Sequence, residues 1–105
     1  MPDVSVLIHA RDAAATLPRL LRSVAWSDDV IVVAMPGGDD TEDVAERNGA
    51  RVVRIPAEPW TDAIRNRHLG EARHPWTLVL DSDEWLPDDA ERLVADLLQR
   101  HGATV

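Results

Sequence analysis

At 105 residues, 45% hydrophobic and 29% charged, the chain has the composition of one globular domain (1–105) with a modest core. A formal net charge of −8 argues against a nucleic-acid partner, so any phosphate must be met locally by a few cations or a metal. No cysteine means no disulfide and no thiolate metal site, and with neither a signal peptide nor a membrane-length apolar run the expectation is a soluble cytoplasmic protein with no transmembrane segment.

Val4-Ser5-Val6-Leu7-Ile8 is apolar and β-branched enough for a strand covered on both faces. The polar turn His9-Ala10-Arg11-Asp12 follows. Thr16 reads as a helix N-cap with Pro18 in the first turn, where a missing N–H costs little. Leu17, Leu20, Leu21 and Val24 then share one helical face. Residues 29–34 form the second apolar strand, Pro36-Gly37-Gly38 a turn, and Asp39 or Asp40 the cap of a short helix that Asn48-Gly49 stops. Residues 51–55 alternate as an edge strand does. Thr61 caps a helix expected from about Asp62 to Ala72, with a thin apolar stripe. Residues 76–80 read as a buried fourth strand, and a last helix is expected from near Pro87 to Gly102. Strands alternating with helices imply an α/β domain with a parallel sheet and right-handed crossovers. A Rossmann-like order of 3-2-1-4 makes the first and fourth strands neighbours at the switch point, where ligands bind.

Asp81-Ser82-Asp83-Glu84 follows that fourth strand. Two carboxylates one residue apart in a turn can converge on a hard, oxygen-loving cation. The alternative is a solvated acidic turn that favours the next helix start, and Glu84 suits either use. The turn after the first strand has no glycine, which argues against NAD or FAD, and no P-loop occurs. Trp60, Trp76 and Trp85 can stack a base or sugar, though core or rim packing is the commoner use of Trp. His68 and His74 lack metal-ligand spacing and read as surface residues, and Asp39-Asp40-Thr41-Glu42-Asp43 reads as a solvated helix start.

The runs Val4 to Asp12, Leu20-Leu21-Arg22-Ser23-Val24, Asp29-Val30-Ile31-Val32-Val33, Ala63-Ile64-Arg65-Asn66 and Leu78 to Trp85 together resemble the family 2 glycosyltransferases of the GT-A fold. The nearest flavour is the bacterial lipopolysaccharide-core and related cell-surface sugar transferases. The resemblance implies a Rossmann-like GT-A nucleotide-binding half that takes a nucleotide-sugar donor and Mg²⁺ or Mn²⁺ for inverting transfer. By position, Asp81 would lie by the ribose and metal, Asp83 would ligate the cation, and Ser82 would sit between them at the donor. His9, Ala10 and Arg11 would line the nucleobase pocket. Arg65 and Asn66 would lie near the nucleotide, with Arg65 pairing a phosphate; their other reading is a solvated helix face. Three departures stand out: Ala34 where the second strand usually ends in a base-binding Asp, Arg11 where an aromatic or Lys is common, and Asp12 where Asn is common. Such catalytic domains usually reach about two hundred residues. The acceptor half and its carboxylate base are therefore not expected among these residues, and no catalytic residue is assigned. A rival reading is a non-catalytic binding module that keeps the fold.

Overall fold

The computed structural model describes residues 3–56 and 67–102. Four parallel strands, β1 (Val4–Ala10), β2 (Val30–Ala34), β3 (Arg51–Arg54) and β4 (Trp76–Asp81), form one sheet in the order β3-β2-β1-β4. Between them lie α1 (Leu17–Ser23), α2 (Thr41–Arg47) and a 3₁₀ turn (His68–Glu71). Helix α3 (Ala90–Leu97) closes the series and runs into a wider turn over Leu98–Gly102. The expected topology is the observed one.

The central strand explains the apolar run at the start of the chain. All seven residues of β1 are buried, because β2 and β4 flank it and both faces are covered. Val6, Ile8 and Ala10 point to the face where Leu17, Leu20, Leu21, Val24, Val44 and Ala45 pack from α1 and α2. Leu7 points the other way, with Ile31, Val33, Met35 and Ile55. Fully burying a side chain such as Leu20 or Ile8 stabilises the fold by about 1.5–3 kcal/mol. Helix α2 stops at Asn48, and Gly49 takes the left-handed φ of 88° that ends a helix most cheaply with glycine.

Several boundaries differ from expectation. β1 runs two residues further than residue 8, because His9 and Ala10 pair with Val33 and Ala34 of β2. β4 likewise includes Asp81, so the acidic turn proper starts one residue later. β4 is also not the buried strand anticipated. It has one neighbour in the sheet, and Trp76 and Val79 are exposed while Leu80 alone is buried. Helix α3 starts at Ala90 rather than near Pro87; a turn closed from Ala90 N–H to Pro87 C=O at 3.0 Å precedes it. Of the helix expected over 62–72, only the end is described. Arg67 is helical, the 3₁₀ turn follows, and Ala72 is already extended.

At the amino-terminal edge of the sheet a polar knot joins all four strands. Asp29, 3% exposed, accepts hydrogen bonds from Ser5 Oγ (2.6 Å), Arg73 N–H (2.8 Å) and Arg51 Nη2 (3.2 Å). Ser5 Oγ in turn accepts from His74 N–H (3.1 Å), and Ser27 Oγ donates to Val4 C=O (2.7 Å). His74 is therefore more than a surface histidine. Its Nε2 lies 2.6 Å from Asp28 Oδ1, and that hydrogen bond raises its pKa above the usual 6.5. Folding thus favours the protonated ring. The contribution is present below pH 6.5 and is lost as pH rises through the raised folded value. An NMR titration should place the His74 midpoint above 6.5, falling toward it in Asp28→Asn; an unmoved midpoint in that variant would remove Asp28 as the cause.

Candidate donor site

Parallel pairing of β1 with β4 sets Asp81 directly beside His9 at the carboxyl edge of the sheet. The turns that follow these two residues face each other across a cleft of about 390 Å³. Its walls are His9, Arg11, Asp12, Ala13 and Thr16 on one side and Asp81, Ser82 and Asp83 on the other. The acidic turn therefore faces a crevice, as the strand order required. His9 is buried in the cleft floor, Asp81 and Ser82 are half-buried, and Arg11 and Asp83 are exposed. Arg11 forms no ion pair or hydrogen bond with the described residues, so its guanidinium is available to a ligand. Ala10 comes to the same edge but turns its methyl into the core, and its carbonyl accepts Met35 N–H at 3.0 Å. Arg65, Asn66 and Trp60 lie outside the described residues.

The acidic turn holds its own shape. Glu84 N–H donates to Asp81 C=O at 3.0 Å, and Asp81 N–H donates to Glu84 Oε1 at 2.7 Å. The two residues close the turn from both ends, which leaves Asp83 at its tip. Beyond it, the Arg19 guanidinium stacks 3.7 Å from the centroid of the Trp85 ring, and Leu86 N–H donates to Ser23 Oγ at 3.0 Å. The far end of the turn is thus fastened to α1, and Trp85 is used for that contact.

The opposite wall is fastened to the β2–α2 turn. Asp12 Oδ1 accepts Gly38 N–H at 2.6 Å, Ala13 N–H donates to Thr41 Oγ1 at 2.8 Å, and Ala14 N–H donates to Asp39 Oδ2 at 3.0 Å. Asp39 also accepts from the Thr41 hydroxyl and amide. The Thr41 hydroxyl first, then the Ala14 amide, hold its carboxyl below the usual aspartate value. Asp39 is therefore a turn-building residue within what reads as a solvated acidic run. The signal was present in Gly37-Gly38-Asp39-Asp40-Thr41, a composition suited to side-chain-to-backbone turns. Ala34, which stands where the resemblance implies a base-binding Asp, is fully buried at the end of β2, and its carbonyl accepts Ile55 N–H.

Asp81 and Asp83 offer hard oxygen donors in one cleft. Among the described residues no group of three or more His, Cys, Asp or Glu is placed to hold a metal ion unaided. A cation here would need oxygens from its ligand and water, the pattern suited to Mg²⁺ and Mn²⁺.

A parallel sheet of order 3-2-1-4 with flanking helices matches the fold of GT-A proteins of known structure. The chain belongs to glycosyl transferase family 2, whose family model matches residues 5–105. An uncharacterized glycosyltransferase of Rickettsia felis is 30% identical over 104 residues, covering 96% of this chain and 36% of that protein. A TPR repeat-containing protein of Synechococcus elongatus is 38% identical over 90 residues, 82% of this chain and 22% of its own length. Among solved structures, TarS of S. aureus superposes with a TM-score of 0.79 at 24% identity, over 93% of this chain and 20% of that one. Glucosyl-3-phosphoglycerate synthase of Mycobacterium tuberculosis, solved with Mn²⁺, UDP-glucose and phosphoglyceric acid, gives 0.74 at 27% identity, over 94% and 40%. The chain thus spans well under half the length of these relatives. Among the described residues no helix is long and apolar enough to cross a membrane.

Proposed function

We propose that the cleft between β1 and β4 binds a nucleoside diphosphate sugar together with Mg²⁺ or Mn²⁺, as the donor-binding part of an inverting glycosyltransferase. The observation that carries this reading is the His9–Asp81 register, which brings Asp81, Ser82 and Asp83 into one cleft with Arg11, a cation that pairs with none of the described residues, in a chain of this family. The related synthase crystallised with Mn²⁺ and UDP-glucose supports the ligand class. The carboxylates of Asp81 and Asp83 would hold the cation. When bound, that ion would neutralise charge building on the departing diphosphate. Arg11 presents a planar fork suited to a phosphate edge, and Arg65 with Asn66 is assigned to the same nucleotide. His9 forms the floor against which the nucleoside rests. Inverting transfer also needs a base for the acceptor hydroxyl. The carboxylates lining the cleft are Asp12, which accepts Gly38 N–H, and Asp81 and Asp83, on the leaving-group side. None of the described residues is therefore assigned as that base.

Ala34 favours a second reading, a donor-like cleft kept for binding alone, because the usual base-recognising carboxylate is replaced by a buried methyl. Titration calorimetry tests the donor site. UDP with Mn²⁺ should bind at least tenfold more tightly than UDP alone, since phosphate oxygens complete the shell that two carboxylates leave open. GDP, ADP, CDP and dTDP should fall within roughly tenfold of UDP, because Ala34 makes no hydrogen bond to penalise a mismatched base. Absence of Mn²⁺-dependent binding across all five nucleotides would sink the proposal. A preference of roughly a hundredfold or more for one base would place a selective base contact elsewhere in the cleft.

A further inference from the structure

We infer that Asp12 and Gly37 form a latch that positions the Arg11-bearing wall of the cleft, so that Asp12 acts as a positioning residue for the donor; the inference rests on the donor-site reading above. Asp12 is the only non-glycine among the described residues with a positive φ, at 50°. Aspartate tolerates that region better than most residues, but something must hold it there. The Asp12 carboxylate reaches across to Gly38 N–H at 2.6 Å. Gly37 makes the reach possible. A Cβ on Gly37 would lie 2.2 Å from Asp12 Oδ1 and 2.9 Å from its Cγ, closer than any real contact. The next two residues are tied to the same turn, Ala13 by Thr41 and Ala14 by Asp39. Arg11 thus sits between two fixed points, the strand pairing of Ala10 with Ala34 and the latch at Asp12. Asp12 itself lines the cleft, so a displaced latch moves the wall that meets the ligand. The departure from the commoner Asn at this position leaves the latch intact, because either side chain presents an oxygen to Gly38 N–H.

The test uses Gly37→Ala, Asp12→Gly, Asp12→Asn and the double variant Asp12→Gly/Gly37→Ala. Asp12→Gly removes the acceptor while suiting the positive φ, so loss of the bond is separated from backbone strain. Backbone amide shifts of residues 11–14 are recorded without ligand, and UDP with Mn²⁺ is titrated by calorimetry. Gly37→Ala should move those amides and weaken UDP–Mn²⁺ binding at least tenfold. Asp12→Gly should do the same, and Asp12→Asn should stay within threefold of wild type. The double variant should be no worse than Asp12→Gly, because the carboxylate that the added methyl would strike is gone. Wild-type affinity in both Gly37→Ala and Asp12→Gly would overturn the inference, as would additive losses in the double variant. A wild-type protein that binds no nucleoside diphosphate overturns the donor-site reading instead. The amide shifts then decide the latch, and amides unmoved in Gly37→Ala overturn it.

Discussion

Asp29→Ala is expected to destabilise the domain by about 3 kcal/mol, a large share of the roughly 5–15 kcal/mol that holds a domain of this size together. The buried carboxylate is the common acceptor for Ser5, Arg51 and Arg73, so its removal strands several donors at once. The melting temperature should fall by about 15 °C. Burial alone would raise the Asp29 pKa, but the Ser5 hydroxyl, the Arg73 amide and the Arg51 guanidinium outweigh it and hold the carboxyl below its usual 3.8. Folding therefore favours the ionised form. The stabilisation is complete above the ordinary aspartate value and is lost as pH falls through the lowered one. Thermal melts of wild type and variant should diverge at pH 7 and converge as pH falls below 3.8 and through the lowered value. A difference of only 2–3 °C at pH 7 would show that the knot carries little of the stability.

Within the acidic turn, substitutions should separate ligands from scaffold. Asp81→Asn and Asp83→Asn should each weaken Mn²⁺-dependent UDP binding by at least tenfold, because a neutral amide is a poor ligand for a hard cation. Glu84→Gln should cost less than threefold, since its amide oxygen can accept the Asp81 N–H as Glu84 Oε1 does. Glu84→Ala, which opens the turn, should approach the loss seen at Asp83. If Glu84→Gln is as damaging as Glu84→Ala, Glu84 is a metal ligand and the turn is shaped by something else. If all four variants bind as wild type does, the turn is not the metal site.

Strand order, the placement of α1 and α2, and the meeting of the first and fourth strands were legible in the chain, because β-branched apolar runs and helical periodicity report burial directly. Val30 to Ala34 and Leu17, Leu20, Leu21 and Val24 are cases in point. The side of the cleft to which Asp81 and Asp83 belong was legible for the same reason. Exposure of β4 was not, since an apolar run reads alike whether one or two strands flank it. Nor were the roles of Asp12, Asp39 and Glu84. Each carboxylate works through a particular backbone N–H: for Asp12 and Asp39 that partner exists only once turns far apart in sequence have met, and for Glu84 only once its own turn has closed. Asp29 was hidden likewise: it reads as the first residue of the second strand, whereas it precedes β2 and three donors converge on it.

The pairing of the first strand with the fourth has a bearing on how the molecule comes into being. β1, β2 and β3, with α1 and α2 between them, can assemble in the order in which they are synthesised, each strand joining its immediate predecessor. β4 must instead return to the far side of β1, guided by His74 reaching Ser5 and Arg73 reaching Asp29. That closure is the most distant contact in the sheet and bears the greatest loop entropy. Arg11 and Asp81 stand on opposite sides of the resulting seam. A half-made chain therefore has a latch and a basic wall but nothing across from them. If the cleft binds a metal–nucleotide complex as proposed, affinity should appear only when the last strand docks, so recovery of binding during refolding would time the final step of the sheet and not its start.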